Sequence, residues 1–203
     1  MDDITVYSHL FIGCEVETRH SRISMESGYP WAGNATYTIH DGGTFALAIH
    51  VPQHAEKLCI IQINGEAAAC VTEDGYCRVQ RDWQPGDCVS ITFDMPVRRI
   101  HADPRVRDAA GKVALARGPL VYCVEGADHE AALSAIVLPE VAAIHATMDE
   151  IVVLHAECIA QCAANRLYSV GAVRTTPVSV RAIPYFAWGN REPGDMQVWI
   201  RET

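Results

Sequence analysis

The stretch GYCRVQRDWQPGDCVSITF, residues 75–93, sets the fold class. In its first half Cys77, Val79 and Arg81 alternate with Tyr76, Arg78 and Gln80; in its second half Val89, Ile91 and Phe93 alternate with Ser90 and Thr92. Side chains that change face at every residue belong to strands with one face buried and one in water, the pattern of an antiparallel sheet. Between the halves stands QPGD, residues 84–87, a turn signal in which proline presets φ and glycine tolerates φ > 0.

Working outward, the chain repeats this theme. Residues 4–13 alternate loosely. Residues 35–40 and 44–52 flank Asp41-Gly42-Gly43, a hairpin signal, and residues 58–65 end in Asn64-Gly65. Residues 113–125 read as two strands broken at Gly118-Pro119. Residues 129–139 read as a short helical turn or loop leading into a strand, and 151–159, 175–188 and 196–200 read as strands. No long stretch of helical period and no fixed repeat appears. Short strands punctuated by Gly, Pro, Asn and Asp indicate sandwiches or barrels. The expected fold is all-β, with two antiparallel β-sandwich, jelly-roll-like modules. The polar segment 102–112 is the expected divide, giving modules at 1–103 and 104–203, with the N-terminal strand a candidate to pair with the second module.

The composition narrows the partners. The chain has 203 residues, 49% of them hydrophobic, and carries 16 basic against 25 acidic side chains, for a formal net charge of -9. Only Lys57 and Lys112 are lysines. This balance argues against nucleic acid or an anionic membrane surface, which call for clustered cations. No apolar run reaches the length of about 18 residues that a spanning helix needs. The start, MDDITVYSHL, has two acids where a secretory signal has basic residues, so a cytoplasmic location is expected. The eight cysteines, Cys14, Cys59, Cys70, Cys77, Cys88, Cys123, Cys158 and Cys162, mostly sit in apolar runs, and buried free thiols are the expectation.

Chemical motifs are sparse. Cys158 and Cys162 form a lone C-x₃-C with His155 nearby, but a zinc site needs a second matched pair. No phosphate-binding loop, nucleophile elbow or HExxH occurs. The carboxylates Glu73, Asp74, Asp149, Glu150, Glu192 and Asp195 fall in turn-like contexts, where they cap backbone amides. Of the four tryptophans, Trp83 and Trp199 read as core. Trp31 and Trp188, flanked by Gly and Asn, are the candidate glycan contacts.

Several segments together carry a resemblance. ESGYPWAGNATYTI, GYCRVQRDWQPGD, KVALARGPLVYCVEG and PYFAWGNREPGDMQVW occur in that order, and nearly the whole chain resembles the C-terminal β-sandwich region of glycoside hydrolase family 127, the β-L-arabinofuranosidase family. The resemblance implies an N-terminal catalytic (α/α)6 barrel as partner, in cis or in trans, in which a cysteine nucleophile works beside a zinc held by cysteines and a glutamate. That ligand set includes adjacent cysteines. No Cys-Cys pair exists in this chain, so no catalytic or metal-binding residue is carried over, and zinc is expected only in the barrel. The resulting expectation is an accessory portion of a glycoside hydrolase that supports the barrel or a homodimer. Two alternatives are a carbohydrate-binding module for plant-type glycans, using Trp31 or Trp188, and a stand-alone glycosidase built on cysteine and zinc.

Overall fold

A computed structural model describes residues 4–55, 59–162, 167–168 and 170–203. Among these residues there is no α-helix; strands joined by turns and short 3₁₀ segments make up the fold. The chain divides into two units, Met1–Met95 and Pro96–Thr203.

The first unit contains β1 (Thr5–Ser8), β2 (Cys14–Glu17), β3 (Arg22–Ser27), β4 (Asn34–Ile39), β5 (Gly43–His50), β6 (Cys59–Ile63), β7 (Glu66–Ala67), β8 (Val71–Glu73), β9 (Tyr76–Trp83) and β10 (Cys88–Phe93). They form two sheets, ordered β1-β5-β9-β8 and β2-β3-β4-β10-β6-β7. Phe45, Leu47, Ile49, Cys77, Val79 and Trp83 from the first meet Ile23, Tyr37, Ile39, Ile61, Val89, Ile91 and Phe93 from the second in one core. Every core side chain named here from β9 and β10 lies on the face that the alternation assigns inward, and Arg81 breaks the pattern by staying exposed.

Pairing is where the structure departs from local signals. β9 and β10 lie in different sheets, so the QPGD turn carries the chain across the sandwich rather than closing a hairpin. The expected hairpin at Asp41-Gly42-Gly43 is also such an arch, because β4 and β5 sit in different sheets. Its glycines answer a packing need. A Cβ on Gly42 would come within 2.7 Å of the Trp83 carbonyl oxygen, one on Gly43 within 2.9 Å of the His20 carbonyl oxygen, and both residues have positive φ. Asn64-Gly65, by contrast, does close a hairpin: both residues have positive φ and Ile63 pairs with Glu66. Leu58, at the start of the strand expected there, lies outside the described residues.

The second unit contains β11 (Val97–His101), β12 (Lys112–Arg117), β13 (Leu120–Glu125), β14 (Ile136–Leu138), β15 (Ile144–Met148), β16 (Val152–Gln161), β17 (Thr175–Pro184), β18 (Met196–Gln197) and β19 (Ile200–Glu202). All belong to one sheet, ordered β11-β12-β19-β14-β16-β17-β13-β18, with β15 on β16. β12 pairs with β19 near its start and with β13 at its end, so the sheet folds over on itself. Val113, Leu115, Tyr122, Val124, Leu138, Leu154 and Ile200 fill the space enclosed. On the opposite side a smaller cluster forms where Ala187, Met196 and Val198 cover Cys123, Val153 and Ile183.

Three expectations are corrected here. The divide falls at Met95/Pro96 and not at 103/104, because β11 pairs along its length with β12 and Arg99 bonds Glu202 and the carbonyls of Pro139 and Ala142. The polar 102–112 stretch is a connection inside the second unit. The N-terminal strand β1 pairs parallel to β5 in the first unit, not with the second. The segment 196–200 is not one strand: it breaks into β18 on β13 and β19 on β12 and β14, leaving Trp199 half-buried between them.

The cysteines are also not uniformly buried thiols. Cys70 and Cys77 form a disulfide. Six are free, and among these Cys123 and Cys158 are buried while Cys14 is exposed.

Trp83 tests the first core. Its indole N–H donates to the Phe45 carbonyl at 3.0 Å, and its ring is wholly enclosed. Trp83→Ala is expected to lower stability by about 3–5 kcal/mol in urea unfolding. Trp83→Phe, which mainly loses the hydrogen bond, is expected to cost about 1–2 kcal/mol.

Candidate functional site

Cys158 and its neighbour His155 do not converge. Cys158 points into the second unit's core, where burial pushes its thiol up to about 11. His155 lies on the other face of β16, bonded to Thr147 at 3.1 Å. Among the described residues no three His, Cys, Asp or Glu side chains converge to hold a metal ion. The described residues thus supply no ligand set of the kind the resemblance places in the barrel.

The two candidate tryptophans belong to different units. Trp31 is half-buried in the turn after the cis Tyr29-Pro30 bond, with its backbone N–H donated to the Gly28 carbonyl at 3.0 Å. Trp188 is 43% exposed and stands in company. β17 ends at Pro184, and the next three residues, Tyr185–Ala187, make a single 3₁₀ turn. Tyr185 and Phe186 on that turn are 49% and 59% exposed. The rings of Tyr185 and Trp188 stack with centroids 6.4 Å apart and planes inclined by 27°, an exposed aromatic shelf at the end of the turn.

The backbone under this shelf is held by Glu125, the last residue of β13, which is only 3% exposed. One carboxylate oxygen accepts the Gly189 N–H at 2.9 Å; the other accepts from the Arg191 guanidinium. Arg191 also grips Asp128, donating to its two oxygens at 2.7 and 2.6 Å, and Arg181 donates to Asp128 at 3.1 Å. Next to them His129 Nδ1 lies 2.7 Å from the Glu125 carbonyl oxygen, while its Nε2 accepts the Arg181 backbone N–H at 3.2 Å. With Nε2 an acceptor, the contact to the carbonyl assigns the proton to Nδ1. A second backbone bond, Gly126 N–H to the Asp195 carbonyl at 2.8 Å, pins the far end of the loop. The Arg191 bonds hold the Asp128 carboxyl below the usual carboxylate range against the opposing effect of burial, with Arg181 adding to the lowering.

A cleft of about 300 Å³ opens beside the shelf, lined by Asp149, Glu150, Ile151, Arg181, Phe186, Asn190 and Arg191 among others. Glu125 and Asp128 are engaged by arginines, so their role is to fix the loop. The groups left facing solvent are rings, an amide and two turn carboxylates.

No sequence pattern announced this clamp. Glu125 reads as the end of the apolar run LVYCVE, and its partners lie 64 and 66 positions away. The single local hint was a carboxylate at a position whose alternation is otherwise apolar.

The first unit offers a different surface. Val6, Leu10, Val16, Met25 and Tyr37 are among the residues lining an apolar cavity of about 280 Å³. Around it Tyr7, Leu10, Ile12 and Val16 are exposed.

Comparison with known proteins gives consistent results for both units. Residues 5–95 match the β-L-arabinofuranosidase GH127 middle domain, and residues 97–201 match the glycoside hydrolase family 127 C-terminal domain. The chain is 29% identical to a non-reducing end β-L-arabinofuranosidase of Bifidobacterium longum subsp. longum, over 97% of its own length and 33% of the relative's. It superposes on a GH127 β-L-arabinofuranosidase from Geobacillus stearothermophilus T6 with a TM-score of 0.90 at 35% identity, covering 100% of this chain and 34% of that one. A GH127 β-arabinofuranosidase gives the same TM-score at 27% identity, covering 36% of that chain. The chain thus spans about a third of the length of the relatives it matches.

The clamp has measurable consequences. Arg191→Ala leaves the Glu125 carboxylate buried without its cation and is expected to cost about 2 kcal/mol in urea unfolding. Adding Glu125→Gln is expected to recover much of that loss. Because the folded pKa of Asp128 lies below its unfolded value, its stabilisation is present above about pH 4 and is lost as pH falls through the folded value. Urea midpoints followed from about pH 7 to about pH 2 should show this acid-side loss, reduced in Asp128→Asn.

Proposed function

The chain belongs to glycoside hydrolase family 127, and we propose that it is the non-catalytic β-sandwich portion of a β-L-arabinofuranosidase-type hydrolase, acting with a catalytic (α/α)6 barrel in cis or in trans. The observation that carries this reading is the coverage: relatives bearing that activity in their names are about three times as long, and this chain accounts for their non-barrel third. The residues here support it. The described part has no α-helix from which to build such a barrel, its buried thiols fill cores, and its clamped carboxylates hold a loop. Zinc and the nucleophile belong, in this reading, to the barrel. The exposed apolar side chains Tyr7, Leu10, Ile12 and Val16 give the first unit a surface that such a partner covers at a gain of roughly 25 cal/mol per Å².

The test is reconstitution. The purified chain is expected to leave an aryl β-L-arabinofuranoside uncleaved and to contain no stoichiometric zinc. Supplying a family 127 barrel, expressed separately or fused ahead of this chain, is expected to give turnover that depends on both parts. Turnover by this chain alone, with one zinc per molecule, would sink the proposal in favour of a stand-alone enzyme. Leu10→Asp combined with Ile12→Asp is expected to weaken association with the barrel at least about tenfold, since each replaces buried apolar area by a charge.

A further inference from the structure

We propose that the aromatic shelf of Tyr185 and Trp188, with the cleft beside it, is a binding subsite for a neutral saccharide. The family reading supplies the chemical class of the ligand; the location comes from the second unit's own residues. The feature that calls for an explanation is energetic. A carboxylate removed from water is costly unless it is paired and hydrogen-bonded. Glu125 is so removed, and the two partners that satisfy it, Gly189 and Arg191, sit in the loop that continues from the exposed rings. Arg191 is anchored again by Asp128, and the loop's far end by Gly126. Three large aromatic side chains that face solvent are thereby set on a backbone fixed from beneath. A loop that only covered Cys123, Val153 and Ile183 would have no need to hold its exposed rings in place, because Ala187, Met196 and Val198 provide that cover.

The chemistry at the surface fits a sugar. The C–H face of a sugar ring is apolar and electropositive, and it lies flat against a π-face. The stacked, solvent-exposed pair of Tyr185 and Trp188 leaves an outer ring face open to such contact. Phe186 forms the wall shared by the turn and the cleft, where Asn190 supplies an amide donor and acceptor, and Asp149 and Glu150 supply acceptors for hydroxyl protons. The arginines at this cleft are neutralised by Glu125 and Asp128, so the free charge at the rim is negative. A neutral saccharide is favoured over a uronic acid oligomer. Pre-organisation limits the ordering cost of binding, which otherwise erodes the affinity of a shallow site.

The experiment is a titration of the full chain with arabino-oligosaccharides, xylo-oligosaccharides and oligogalacturonate, each to about 10 mM, followed by tryptophan fluorescence and by NMR of the indole and side-chain amide signals. Saturable shifts at Trp188 and Asn190 with a neutral oligosaccharide are expected. Trp188→Ala and Tyr185→Ala are each expected to weaken binding about tenfold or more with the unfolding midpoint unchanged, and Trp188→Phe to retain most of it. Tyr168→Ala, a change at an exposed ring elsewhere in the chain, is expected to have no effect. Absence of saturable binding to every neutral oligosaccharide, retention of affinity in Trp188→Ala, or preference for oligogalacturonate overturns the proposal. So does protection of Trp188 from solvent quenchers on adding the barrel, which would make the shelf a protein interface. Because the titration uses this chain alone, its failure leaves the reconstitution test standing, and failure of reconstitution leaves the binding result standing.

Discussion

The carboxylate of Glu125 is the constraint around which the second unit's surface is organised. It ends β13 on a side of the sheet that is covered, so water cannot solvate it. Its charge is met by the Arg191 guanidinium and the Gly189 N–H, both delivered by the loop after β17. Meeting that need fixes where the loop runs. It then lays Ala187, Met196 and Val198 over Cys123, Val153 and Ile183, and turns Tyr185, Phe186 and Trp188 outward. Removing Arg191 alone leaves the Glu125 carboxylate as a buried charge without its cation. The exposed rings share their loop with the clamp, while the covering layer is also held by the pairing of β18 with β13.

The first unit obeys a different rule. Half of its strand pairings join strands distant in sequence, and the two local turns at 41–43 and 84–87 carry the chain between layers. An arch of this kind needs close backbone approach, which is why Gly42 and Gly43 stand against the carbonyls of Trp83 and His20. Trp83 then fills the space beneath, with its N–H satisfied by Phe45. The disulfide between Cys70 and Cys77 ties the strand pair at the edge of the same sheet. Among the described residues of the two units, no three His, Cys, Asp or Glu side chains converge as a metal site would require.

Within the sequence, fold class and individual strands were legible because alternation is a local property. Val89, Ile91 and Phe93 face inward as their spacing requires, and Gly118-Pro119 separates β12 from β13 as its turn chemistry requires. The family was legible too, since long motifs such as KVALARGPLVYCVEG survive as ordered strings of residues. Trp188 was legible as an exposed aromatic from its Gly and Asn neighbours. The residues that hold it were not, because a clamp between Glu125 and Arg191 spans 66 positions and has no periodic signature.

Sequence alone therefore determined the kind of element, the turn sites such as Asn64-Gly65, and the kinship, all of which depend on side chains read a few residues at a time. Tertiary structure decided which strands pair, that β11 joins the second unit and β1 the first, that Cys70 finds Cys77, and that Trp188 stands on a braced loop while Trp31 sits half-buried in a turn. Those outcomes rest on contacts whose energy exists only after distant segments meet. A hairpin and an arch share the same turn residues, and only the sheet that receives the next strand distinguishes them.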